Sequence, residues 1–78
     1  MKLIIRNLDR NLAESKLRQL FEPHGTVQSC AVVLDKKTGL SKGFGFVEMP
    51  KRGEAKAAMK TINGTEVGGM KIRVKEAD

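Results

Sequence analysis

Lys42-Gly43-Phe44-Gly45-Phe46-Val47-Glu48-Met49 alternates residue by residue between two kinds of side chain. Successive side chains of a β-strand point to opposite faces of the sheet. One face of this segment therefore carries Lys42, Phe44, Phe46 and Glu48, and the other Gly43, Gly45, Val47 and Met49. Phenylalanine is most often buried, which would put Phe44 and Phe46 in a core. Their companions argue the reverse. A lysine and a glutamate do not belong under a helix, whereas two glycines let a helix approach the sheet closely. The face with Gly43, Gly45, Val47 and Met49 is thus expected to pack inward, and the two phenylalanines to lie on an open face.

The flanking segments fit this division. Residues 3–8 form a short β-branched run in which Leu3 and Ile5 face one way, and Lys2, Ile4 and Arg6 the other. Ala13, Leu17, Leu20 and Phe21 recur at helical spacing, and Pro23 and Gly25 stop that helix. The valine-rich stretch Val27 to Leu34 reads as a second strand, with Cys30 and Val32 on its core face. Asp35 to Gly39 is a turn cluster. Pro50 and Gly53 bracket a break after the third strand, and Ala55, Ala58, Met59 and Ile62 mark a second helix. Asn63-Gly64 closes that helix. Gly68-Gly69 turns the chain into a last strand from Met70 to Glu76, with Met70, Ile72 and Val74 inward and Lys71, Arg73 and Lys75 outward. Met49, Met59 and Met70 all sit at core phases. The order strand, helix, strand, strand, helix, strand predicts an α+β, ferredoxin-like βαββαβ sandwich. Its four-stranded antiparallel sheet has two helices on one face and leaves the other open.

That open face combines Phe44 and Phe46 with a border of Lys2, Arg6, Lys42, Lys71, Arg73 and Lys75. Exposed aromatics are unfavourable unless something covers them. Bases do so by stacking, and a basic border attracts their phosphates. A flat platform suits single strands, whose bases splay out, better than a duplex groove.

Whole-chain properties agree. The 78 residues suffice for one small domain, expected to span 1–78. A domain of this size buries only about 60% of the surface of its unfolded chain, which favours a binding surface over a deep enclosed site. Fifteen Lys and Arg against nine Asp and Glu leave a net charge of +6, suited to nucleic acid first and anionic membrane second. The one cysteine, Cys30, supplies neither an internal disulfide nor a Cys-rich metal site. Apolar runs are too short to span a membrane, and the opening residues lack the apolar core of a signal peptide. A cytoplasmic, reducing setting is the expectation, with a monomeric chain and no cofactor. No Ser-His-Asp or Cys-His set can be assembled, and no paired carboxylates share a phase, so no enzyme is expected. Gly43-x-Gly45 lacks the third glycine of a dinucleotide fingerprint. His24 reads as a packing or capping residue, Cys30 as a small buried hydrophobe, and Lys51-Arg52 as a solvated turn.

These residues resemble a family. Lys42 to Met49 is similar to the octapeptide signature of the RNA recognition motif, and Leu3-Ile4-Ile5-Arg6-Asn7-Leu8 resembles the hexapeptide on its first strand. The segment Asp35 to Ser41 is similar to the loop that commonly precedes the octapeptide. The resemblance covers essentially the whole chain, and a complete protein of this size would resemble the small stand-alone bacterial members. It implies that Phe46 stacks on a base, that Phe44 packs against sugars or between nucleotides, and that Lys42 pairs with a phosphate. Ile4 stands where the family usually has an aromatic, and Arg6 where a small residue is common. The resemblance also implies that the first and third strands pair antiparallel, with Ile4 beside Phe46, Arg6 beside Phe44 and Lys2 beside Glu48. The expected partner is single-stranded RNA. Single-stranded DNA is one alternative, and a protein bound by the same fold is another, often through a helix-side pocket. An acylphosphatase-like enzyme would need Arg6 and Asn7 as an anion cradle and would leave Phe44 and Phe46 unexplained.

Overall fold

The computed structural model describes residues 1–77. Strand β1 (Lys2–Arg6) is followed by helix α1 (Glu14–Phe21), β2 (Ser29–Leu34), β3 (Ser41–Glu48) and helix α2 (Arg52–Ile62). A short hairpin of β4 (Glu66–Val67) and β5 (Met70–Lys71) then leads into β6 (Arg73–Glu76). The main sheet is antiparallel with order β2-β3-β1-β6. Both helices cover one of its faces. Leu3 and Ile5 of β1, Cys30 of β2, Val47 of β3 and Val74 of β6 meet Leu17 and Phe21 of α1 and Ala55, Ala58 and Ile62 of α2 in one buried cluster. This is the expected ferredoxin-like sandwich, with β1 and β3 at its centre.

Gly45 is why α1 sits so close to the sheet. A Cβ built there would lie 2.5 Å from the Ala31 carbonyl oxygen and 3.2 Å from Leu17 Cδ2. The backbone of the neighbouring strand has no room for a methyl group, and the Leu17 side chain would have to give by a few tenths of an ångström. Gly45→Ala is therefore expected to destabilise the fold by about 1–3 kcal/mol, the usual range for overpacking. Denaturant titration checks this, and a variant as stable as the parent would mean that the close approach is not required.

The sequence expectations hold in the centre of the sheet and slip at its ends. The second strand starts at Ser29, because the chain bends at Gln28, and Val27 packs on the core from the preceding connection. In the first helix the stripe begins with Leu12 and not Ala13. Ala13 is exposed just before the helix, and a turn in which Leu12 N–H donates to the Asp9 carbonyl (2.9 Å) brings Leu12 inward. The alternation of β3 is not strict. Val32 pairs with Gly45 but Leu34 with Ser41, so β3 carries a bulge there, and Gly43 has φ +86° within it.

The largest departure concerns the last strand, which is two. Gly68 and Gly69, at φ +60° and +81°, close a tight two-residue hairpin of β4 and β5. Ile72 interrupts the run: its N–H donates to the Thr65 carbonyl (3.0 Å) and its carbonyl accepts from Gly64 N–H (2.8 Å). Ile72 and Val74 are buried as expected, but Met70 is only half-buried and lies outside the core cluster.

Cys30 is buried on the helix side, its Sγ 3.6 Å from the Glu14 carbonyl. Burial pushes its thiol above the ordinary value, with the Glu14 carboxylate adding to the effect. It behaves as the small hydrophobe the sequence suggests. His24 ends a 3-10 turn after α1 and is half-buried.

Candidate nucleic-acid interface

The face opposite the helices is built from alternate residues of all four strands of the main sheet. The register between β1 and β3 sets Lys2 beside Glu48, Ile4 beside Phe46 and Arg6 beside Phe44. On the far side of β1, Ile4 pairs with Lys75 and Arg6 with Arg73. On the far side of β3, Ala31 pairs with Phe46 and Ser29 with Glu48. The platform thus has a middle row of Ala31, Phe46, Ile4 and Lys75, and a row toward the loops of Phe44, Arg6 and Arg73.

Phe44 and Phe46 are half-buried rather than fully exposed. Their rings meet edge to face, with centroids 6.1 Å apart and planes at 84°, a favoured aromatic arrangement. Lys2 Nζ sits 4.8 Å from the Phe46 centroid, within cation–π range. Perpendicular rings have different uses. One can lie flat against a base while the other stands between neighbouring nucleotides. At the other end of the platform, Ser29 Oγ donates to Glu48 Oε2 (3.3 Å) and so holds the one carboxylate of β3 at the edge.

Positive charge gathers at the loop end. Arg6 and Arg73 are cross-strand neighbours, an arrangement that is unfavourable for like charges. Among the described residues neither makes an ion pair, nor do Arg10 or Lys42. Two hollows open beside Phe44. One, of about 280 Å³, is lined by Arg6, Arg10, Lys42, Phe44 and Met70 among others. The other, of about 450 Å³, runs along the β2–β3 loop past Thr38 and Leu40 and shares Arg10, Lys42 and Phe44 with it. Leu40 is 64% exposed there, more than the half-buried Phe44 and Phe46.

Of the residues expected at the site, Lys2, Ile4, Arg6, Phe44, Phe46, Arg73 and Lys75 all come together on the platform. Lys42 reaches it through the bulge and not through plain alternation. Lys71 does not belong to the main sheet. It pairs with Glu66 in the β4–β5 hairpin, because the break at Ile72 detaches that segment. Met70 is corrected in the same way: it lines the hollow beside Arg6 and Phe44 instead of the core. Arg10 joins the site without a signal in the sequence, and Asn7 has a structural role beside it. Arg10 lies in an irregular loop with no periodicity to place it. Asn7 holds φ 62°, a left-handed conformation that asparagine tolerates, and its Nδ2 donates to the Lys71 carbonyl (2.8 Å). That bond ties the hairpin, and Met70 with it, to the end of β1.

A larger hollow lies elsewhere. About 500 Å³ opens between α1 and the β4–β5 hairpin, lined by Leu12, Leu20 and Val67 with Lys16 and Glu66. A flat platform is not a cavity, so volume is the wrong measure for a stacking surface, and the chemistry favours the sheet face.

Comparison with known proteins agrees with this geometry. The family model of the RNA recognition motif matches residues 3–73. RNA-binding protein CP29B, chloroplastic, of Arabidopsis thaliana is 45% identical over 74 residues, which is 95% of this chain and 26% of that protein. The chain thus spans about a quarter of the length of that relative. The crystal structure of RNA binding protein PG1 superposes with a TM-score of 0.95 at 39% identity, covering 99% of this chain and 93% of that one. A Sxl-lethal protein/RNA complex gives a TM-score of 0.94 at 30% identity, covering 99% of this chain and 46% of that one. With both signature strands paired as the motif requires and the family model matched over nearly its full length, this chain belongs to the RNA recognition motif family.

Proposed function

We propose that the chain binds single-stranded RNA across the open sheet face, as a binding module without chemistry of its own. The observation that carries this reading is the pair Phe44 and Phe46, uncovered at the centre of a platform whose border is cationic. Stacking accounts for the rings and phosphate pairing for the charges. The proposal includes a reducing, cytoplasmic setting, in which Cys30 stays a thiol. The proposal takes the chain to act as a monomer.

Salt tests the electrostatic half. If about four border cations touch phosphates, log affinity should fall with log salt with a slope of about −3 for a single strand. Arg73→Ala and Lys42→Ala should each make that slope shallower by roughly 0.7. A slope of zero would remove the border from the account. Parallel titrations with RNA and DNA of the same sequence decide between the two polymers.

Ile4 tests the stacking half. It points outward beside Phe46 and gives an apolar contact without a π face. Ile4→Phe is expected to raise single-strand affinity by about 1 kcal/mol, the low end for a stacked base. Unchanged affinity in a fluorescence anisotropy titration would mean that no base rests above position 4.

The groove between α1 and the β4–β5 hairpin favours a second reading, in which a protein segment docks on the helix side. The two readings predict different surfaces for the ligand.

A further inference from the structure

The hollow beside Arg6 has more structure than a phosphate contact requires, and the inference drawn from it rests on the RNA-binding reading above. Three cations, Arg6, Arg10 and Lys42, line it, and no carboxylate does. Those side chains are hydrogen-bond donors only, so the group they suit is rich in acceptors. A bare phosphate meets that condition, but it needs no apolar wall, and the hollow has Phe44 and Met70 in its lining. Its volume of about 280 Å³ lies just below the range of drug-sized ligand sites, about 300–1,000 Å³, so it suits a group no larger than a single base.

The position of Arg6 sharpens the argument. It rises from β1, which lies inside the sheet between β3 and β6. Phe44 flanks it on one side and Arg73 on the other. Charges at the rim of a platform meet the backbone of a strand lying across it. A charge from the middle meets the edge of a base. An acceptor edge placed there also relieves the repulsion between Arg6 and Arg73. Among the bases, guanine presents two adjacent acceptors, N7 and O6, which match the planar guanidinium fork. Adenine puts an amino group beside its N7, donor against donor. We propose that this hollow takes a guanine base of single-stranded RNA, its N7 and O6 held by the Arg6 guanidinium, with Arg10 and Lys42 on the phosphates beside it.

The test uses fluorescence anisotropy with oligouridine strands carrying one central guanine, 7-deazaguanine or adenine. The guanine strand is expected to bind about tenfold more tightly than the adenine strand, within the range for one bidentate base contact. 7-Deazaguanine keeps the charge and the stacking surface but lacks N7, and should forfeit most of that gain. Arg6→Lys keeps the charge and loses the fork, so the guanine-to-adenine ratio should fall toward one. Lys56→Ala, exposed on α2, should keep the parental ratio. Equal affinities for guanine and 7-deazaguanine strands, or an Arg6→Lys protein with the parental ratio, would overturn the inference and leave the RNA-binding reading standing. Failure of every strand to bind would overturn both.

Discussion

Phe21→Ala is expected to destabilise the protein by about 3–5 kcal/mol, the usual range for truncating a core phenylalanine. Phe21 closes α1 and is fully buried against the sheet. A domain of this size has a total stability of only about 5–15 kcal/mol, so the variant should be substantially unfolded at modest temperature. Circular dichroism melts read this directly. A variant that melts with the parent would mean that α1 does not dock as described.

Phe46→Ala is expected to weaken single-strand RNA binding by about 1–3 kcal/mol, the loss typical of one stacked base. Its effect on stability should be about 1 kcal/mol, the loss of one edge-to-face pair and one cation–π contact. The same substitution at the same residue type thus has opposite signatures at positions 21 and 46. One ring fills space between helix and sheet, and the other lies on the uncovered face. Melting and binding curves on both variants separate the roles. Intact binding with a large drop in melting temperature for Phe46→Ala would mean that the two faces of the sheet are assigned the wrong way round.

The centre of the sheet could be read from residues alone because strand periodicity has one consequence there. Once Lys42 and Glu48 placed Phe44 and Phe46 outside, Val47 and Met49 had to be inside, and both are fully buried. Leu3, Ile5, Ile72 and Val74 followed from the same rule. Periodicity fails where the backbone leaves the pleat. The bulge at Gly43 is set by a positive φ that alternation does not show. The break at Ile72 depends on hydrogen bonds to Gly64 and Thr65, eight and seven residues back in the chain. Met70 and Lys71 were misplaced for that reason alone. Arg10 has no periodic context, and its place beside Phe44 is a product of tertiary folding. The pairing of β1 with β3 came from resemblance to the family, and all five paired positions from Lys2 to Arg6 agree with it.

Backbone amide shifts during titration with a short single-stranded RNA test the central claim most directly. The sheet-face reading predicts the largest changes at Ile4, Arg6, Phe44, Phe46 and Arg73, which lie together on β1, β3 and β6. Leu12, Leu20 and Val67, which line the helix-side groove, should stay still. Changes confined to that groove, with the sheet residues silent, would contradict the account.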